Sequence, residues 1–169
     1  QIVRGSPRIR TEFRDQFHVV LLDEYQDTSV VQTSLLAELF REHPVMAVGD
    51  PNQSIYGWRG ASAANLESFG DQFANGKALD FNLSISWRNG HDILAVANAL
   101  VEPLLPHTRV RVEKLTAGPD ASDRTVDVAF EESVVAEAEG AAVWLGHQLA
   151  TLPELDAKPP TAAMLFRTR

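Results

Sequence analysis

The stretch 19-VVLLDEYQDTS-29 decides how this chain is to be folded. Its four apolar residues, Val19 to Leu22, run without polar alternation, the mark of a parallel strand covered by helices on both faces. The run stops at Asp23-Glu24. Thr28 or Ser29 then offers a hydroxyl cap, and Val30, Val31, Leu35, Leu36, Leu39 and Phe40 recur at helical spacing as far as Pro44. Val45 to Val48 is a second apolar run, again ending in a carboxylate at Gly49-Asp50, and 50-DPNQS-54 signals a turn. Strand, helix and strand in this order imply a right-handed parallel crossover.

Outward from that unit the alternation continues. A helix is expected over Ala61 to Phe73, a turn at Asn75-Gly76, a strand over Ala78 to Ser86, and a helix carrying Ile93, Leu94, Val96, Ala97, Leu100 and Val101 that stops before Pro103. Short strands are expected at Val110 to Leu115 and Thr125 to Phe130, a helix at Val134 to Leu149, and a last strand at 161-TAAMLFRT-168. Gly118-Pro119-Asp120 and Pro153 to Pro160 read as surface loops. Repeated alternation of strand and helix predicts the α/β class. Arg167-Thr168-Arg169 follows the last strand with no helix to cover it, which leads us to expect a segment of a longer protein.

Composition narrows the chemistry. The chain has 169 residues, enough for one domain with a core or for pieces of two. It has no cysteine, so disulfides and thiolate zinc sites are excluded. Its five histidines, at 18, 43, 91, 107 and 147, show no helical pairing for a metal. No apolar run has the length of a membrane helix and no signal peptide opens the chain, so a cytoplasmic location is expected. The net charge of −8 is local: residues 113–156 hold ten acidic and two basic residues, and the remainder holds thirteen of each sign. Bulk charge therefore does not exclude a nucleic-acid partner for the first two thirds.

Ligands of open parallel sheets bind beyond the carboxyl ends of the strands, where Asp23 and Asp50 are expected on near-neighbour strands. Successive strand residues point to opposite sides, so Asp23 and Glu24 serve one ligand only if the chain turns between them. One carboxylate then holds a hydrated Mg²⁺ while the next orients a water, the division of labour that phosphoryl transfer to water requires. The plain alternative is a pair of surface acids after a strand. In 47-AVGDPNQSIYGWRGAS-62, Gln53, Tyr56, Trp58 and Arg59 crowd one turn between glycines. Gln53 can donate to a phosphate oxygen, Arg59 can reach a phosphate or a carboxylate, and the two rings offer faces for base stacking or, alternatively, for core packing.

Three segments, 21-LLDEYQDT-28, 48-VGDPNQSIYGWRGA-61 and 86-SWRNGHDILAVANAL-100, resemble in order and interval motifs II, III and IV of superfamily 1A DNA helicases of the UvrD, PcrA and Rep type. The resemblance is strong over Phe17 to Val101 and weaker at 162-AAMLFRTR-169. It implies a RecA-like, P-loop NTPase type of parallel sheet. Residues 1–77 would be the C-terminal part of a first RecA-like domain and residues 78–169 the N-terminal part of a second, with ATP between them. By position Asp23 resembles the Mg²⁺ ligand and Glu24 the base that activates water. Gln26 and Asp27 resemble residues linking neighbouring motifs, and Gln53 the γ-phosphate sensor. Tyr56 and Trp58 resemble the aromatics that contact single-stranded DNA, and Arg59 the residue coupling that surface to the ATP site. Arg88 resembles an arginine finger from the second domain, its alternative being a solvated helix-start cation. Trp87 stands where the family usually has the tyrosine that stacks on adenine, in Ser-Trp-Arg-Asn rather than Asn-Tyr-Arg-Ser.

The implied activity is ATP-dependent DNA unwinding or translocation on single-stranded DNA, in repair or recombination; the alternative is a helicase-derived binding module without ATPase activity. The phosphate-cradling Gly-Lys-Thr/Ser loop of such enzymes is missing, since the only Gly-Lys, Gly76-Lys77, is followed by Ala78. The segment alone is therefore expected to be inactive. Trp144, among apolar neighbours, reads as core or a domain contact, and Asp80, Arg109 and Arg111 read as surface residues.

Overall fold

The computed structural model describes residues 6–62, 64–107, 110–123, 125–152 and 159–166, of His107 only the backbone. Two compact units divide the chain, residues 1–125 and 126–169.

The first unit opens with α1 (Pro7–Gln16), whose proline sits where a helix has no use for an N–H. Strand β1 (Val20–Leu22), helix α2 (Val30–Phe40) and strand β2 (Val45–Ala47) follow, and the strands pair in parallel, Val20 opposite Val45 and Leu22 opposite Ala47. Ser29 is the residue that caps α2: its hydroxyl accepts from the Gln32 N–H at 3.3 Å, and the Gln32 side chain accepts from the Ser29 N–H at 2.9 Å. At the other end of α2, Arg14 of α1 donates to the carbonyls of Leu39 and Arg41, 2.7 Å each, satisfying acceptors that no helix can pair internally. Helix α3 (Ala64–Ala74) ends in the expected turn, with Asn75 and Gly76 both at positive φ.

Tyr25, Ala37, Leu39, Phe40 and Phe73 form the buried core, and Val20, Leu22, Val45 and Ala47 pack against it. The expectation of a strand covered on both faces is corrected here. Leu21 is 67% exposed and Met46, its partner in the ladder, 52%, because the core cluster gathers on the Val20 and Leu22 face alone.

A second parallel pair joins β3 (Ile85–Ser86) to β4 (Thr116–Ala117). The strand expected over Ala78 to Ser86 is thus two residues long, and Leu79, Phe81 and Leu83 alternate along an exposed, unpaired segment. Residues 110–115 are not a strand either. Asn98, on α4 (His91–Val101), donates through Nδ2 to the Leu115 carbonyl at 2.9 Å and accepts at Oδ1 from the Leu115 N–H at 3.0 Å. A side chain therefore takes the groups a ladder would use, and pairing begins at Thr116. Helix α4 ends at Val101, before Pro103 as expected, and a separate 3₁₀ segment, Glu102–His107, follows.

In the second unit, α5 (Val134–Thr151) is capped by Ser133, whose hydroxyl accepts from the Ala136 N–H at 3.2 Å. Residues 125–130 and 161–166 are irregular, so neither expected strand forms there. Of the two readings of Trp144, the core one does not hold: its indole N–H donates to Asp127 Oδ2 at 2.8 Å and the residue is half exposed. Arg111 pairs with Glu113 and Asp80 is exposed, as expected of surface residues. Arg109, 153–158 within the expected loop and 167–169 lie outside the described residues. Among the described residues no helix is long and apolar enough to cross a membrane.

Candidate functional site

The sharp end of β1 is built by one backbone dihedral. Glu24 adopts the left-handed conformation, φ 50° and ψ 41°, and a 3₁₀ turn over Tyr25–Asp27 follows. A non-glycine residue there is uncommon and costs energy. What holds it is on either side: Asp23 Oδ1 accepts from the Glu24 N–H at 2.9 Å, and the Tyr25 N–H donates to the Val48 carbonyl at 2.9 Å, tying the turn to the end of β2. The Tyr25 ring is wholly buried and meets Phe69 and Phe73 edge-on, with centroids 5.6 Å and 6.4 Å away. Burial pushes its hydroxyl above the ordinary value, an effect the nearby Thr33 hydroxyl opposes.

Behind the turn lies a polar relay with a buried glutamine at its centre. Gln26, 1% exposed, donates through Nε2 to Glu24 Oε2 at 2.7 Å and accepts at Oε1 from the Asp50 N–H at 3.1 Å. Asp50 divides its carboxylate: Oδ1 accepts from the Asn52 N–H at 2.9 Å, and Oδ2 accepts from Gln53 Nε2 at 2.8 Å. Ser54 Oγ closes the loop onto the Gln26 carbonyl at 3.1 Å. Glu24 and Gln53, from the ends of two strands, are therefore joined through Gln26 and Asp50. Gly49 makes the approach possible, since a Cβ there would stand 2.5 Å from Gln26 Oε1.

Beyond Gln53 the loop turns outward. Tyr56 and Trp58, 37% and 75% exposed, lie 6.3 Å apart between ring centroids, and the Arg59 guanidinium sits over both, 5.1 Å and 4.5 Å from their centres. Neither ring belongs to the buried core of the described residues. The far end of the loop is pinned to the start of α2: the Val30 N–H donates to the Gly60 carbonyl at 3.3 Å, and Ser29 bridges Ala61.

Trp87 and Arg88 stand apart from this network, just after β3, both exposed. Among the described residues no hydrogen bond or ion pair joins either to Glu24, Asp50 or Gln53. Of the residues that hold the site, sequence reasoning passed over Asp50 as a member, although it placed Asp50 at a strand end. Its signal is a carboxylate three residues before a glutamine within one turn. Asp23 is exposed and offers hard oxygen donors, which suit a cation such as Mg²⁺ that keeps waters and takes one or two carboxylates plus substrate phosphates. Among the described residues no group of three or more histidines and acids forms a full protein cage for a metal, which that manner of binding does not need.

Fold and site thus define an α/β protein with a polar relay at the carboxyl ends of two parallel strands and an aromatic–arginine cluster beside it. Residues 1–74 match the family described as the UvrD/REP helicase N-terminal domain. The chain is 35% identical over 129 residues to DNA helicase II of Escherichia coli, a match covering 76% of the chain and 17% of that protein. It is 34% identical over 116 residues to ATP-dependent DNA helicase PcrA of Leuconostoc citreum, covering 67% and 14%, and 29% identical over 168 residues to a probable DNA helicase of Mycoplasma pneumoniae, covering 98% and 30%. The chain spans 17% of the length of the first of these relatives.

Proposed function

We propose that the chain supplies the water-activating, phosphate-sensing and DNA-stacking residues of an ATP-dependent DNA helicase or translocase. Residues 1–77 would belong to a first RecA-like domain bearing motifs II and III and residues 78–169 to a second bearing motif IV, a division by helicase region separate from the compact units. The observation that carries this reading is the relay from Glu24 through Gln26 and Asp50 to Gln53. It gives the residues flanking a triphosphate a shared set of hydrogen bonds.

In this reading Glu24 accepts the proton of the attacking water, and Gln26 holds the carboxylate in place through its 2.7 Å bond. Gln53 donates toward the terminal phosphate when it leaves Asp50. Arg88 places its guanidinium against the same phosphate, and Trp87 stacks on the base. Asp23 would hold Mg²⁺, which neutralises phosphate oxygens when bound. Gln53 is five positions from Trp58 along a loop fixed at both ends, so a change of partner at Gln53 is passed to the rings that meet single-stranded DNA.

In the full-length protein, Glu24→Gln should leave ATP binding intact and reduce DNA-stimulated hydrolysis by two orders of magnitude or more, on the order of what a positioned general base contributes. Unchanged turnover would refute the assignment. The isolated 169-residue chain should bind neither ATP tightly nor hydrolyse it, since the phosphate loop is not within it; robust turnover by the pure chain would overturn that part.

A further inference from the structure

The seat of Trp87 carries an inference of its own. A Cβ built on Gly118 would lie 3.0 Å from Cε3 of the Trp87 indole and 3.4 Å from each of that atom's ring neighbours, Cδ2 and Cζ3. Equal distances to both neighbours, so little longer than the distance to Cε3 itself, require an approach nearly along the ring normal. An approach in the plane of the ring would leave those neighbours markedly farther away. Gly118 therefore closes one face of the six-membered ring with bare backbone. It is held there by its N–H, which donates to the Ser86 carbonyl at 2.9 Å and extends the pairing of β3 with β4 by one residue. Gly118 is buried while Trp87 is 75% exposed, so most of the indole away from Gly118 is open to solvent. Gly118 is not among the glycines at positive φ, and alanine there meets the ring without straining its own backbone.

We propose that Gly118 is a positioning residue for Trp87, seating the indole so that one face only, at a set depth, is offered to the base of a nucleotide. The inference rests on the reading of Trp87 as the base-stacking residue. A methyl group at position 118 must push the ring outward by a few tenths of an ångström, or tilt it, before ordinary contact is restored. Stacking depends on distance and overlap, and the phosphate-directed residues do not move with the ring.

The test is steady-state ATP hydrolysis by the full-length protein. Gly118→Ala should raise KM for ATP about three- to tenfold with kcat changed less than twofold, the size expected from partial loss of one aromatic stack. Inorganic tripolyphosphate, which has no base, should inhibit this variant and the parent equally. In a Trp87→Ala background, Gly118→Ala should add nothing further to KM. If Trp87→Ala raises KM but Gly118→Ala does not, or if tripolyphosphate inhibition weakens as much as ATP affinity, the role of Gly118 is overturned. If Trp87→Ala itself leaves KM unchanged, the base-stacking reading fails first, and this inference with it. A measurement on the parent protein needs no variant at position 118. With glycine Cα labelling, the Gly118 Hα resonances should lie upfield, under the ring current of the indole, and should stay there when ADP is added. Absence of that shift, or its loss on ADP binding, would equally overturn the proposal.

Discussion

Gly49→Ala is the substitution on which the relay stands or falls. The new Cβ would meet Gln26 Oε1 at 2.5 Å, the Gln26 N at 3.2 Å and Leu66 Cδ1 at 3.3 Å. The first distance cannot be tolerated, and the atom it strikes is not a free side-chain end. Gln26 is buried, with one end bonded to Glu24 and the other to the Asp50 N–H. To make room, Gln26 must give up at least the Asp50 bond, leaving a buried amide oxygen unpaired at a cost of about 1–3 kcal/mol, and the tight contact at Leu66 adds about 1 kcal/mol of overpacking. The sum is about 2–4 kcal/mol. With a urea m-value of about 2 kcal/mol per molar, the midpoint should fall by about 1–2 M. Gly57→Ala is the matched control, since a Cβ there meets nothing within 4 Å, and its midpoint should barely move. Adding Gln26→Ala to Gly49→Ala removes the atom that is struck, so the pair should cost less than the sum of the singles. A Gly49→Ala midpoint within the scatter of the Gly57→Ala control would refute the packing on which the relay depends.

Arg14→Ala removes two guanidinium bonds to the last carbonyls of α2 and should lower stability by about 1–2 kcal/mol, read as a drop in thermal midpoint; Arg14→Lys should recover less than half, since an ammonium lacks the fork that reaches both carbonyls. Tyr25 gives a pH dependence of known sign. Its hydroxyl is held above the ordinary 10.0 by burial, so the unfolded chain gives up that proton first. The contribution is complete below the unfolded value and is lost as pH rises through the folded one, so stability should fall in the alkaline range and Tyr25→Phe should flatten that fall, as measured by urea midpoints across a pH series.

Much of the first 60 residues was legible because local signals agree there. Apolar runs gave β1 and β2, a hydroxyl at Thr28 or Ser29 marked the start of α2, and two carboxylates marked the two strand ends. Reasoning weakened where pairing partners decide. The alternation of Leu79, Phe81 and Leu83 is a sound strand pattern, yet those residues stand exposed because the ladder that forms is only Ile85–Ser86 against Thr116–Ala117. Trp144 looked apolar in sequence because its partner, Asp127, is seventeen residues away and outside any helical window.

The sequence by itself marked candidate residues and the need for a turn where Asp23 and Glu24 end a strand, because side-chain type and the period-two geometry of a strand are local properties. Only the tertiary structure decided how those residues are connected. Gln26 reaches Asp50 across 24 positions, and Gly118 supports Trp87 across 31, contacts set by which backbones a parallel pairing brings side by side and by how little space a glycine leaves between them.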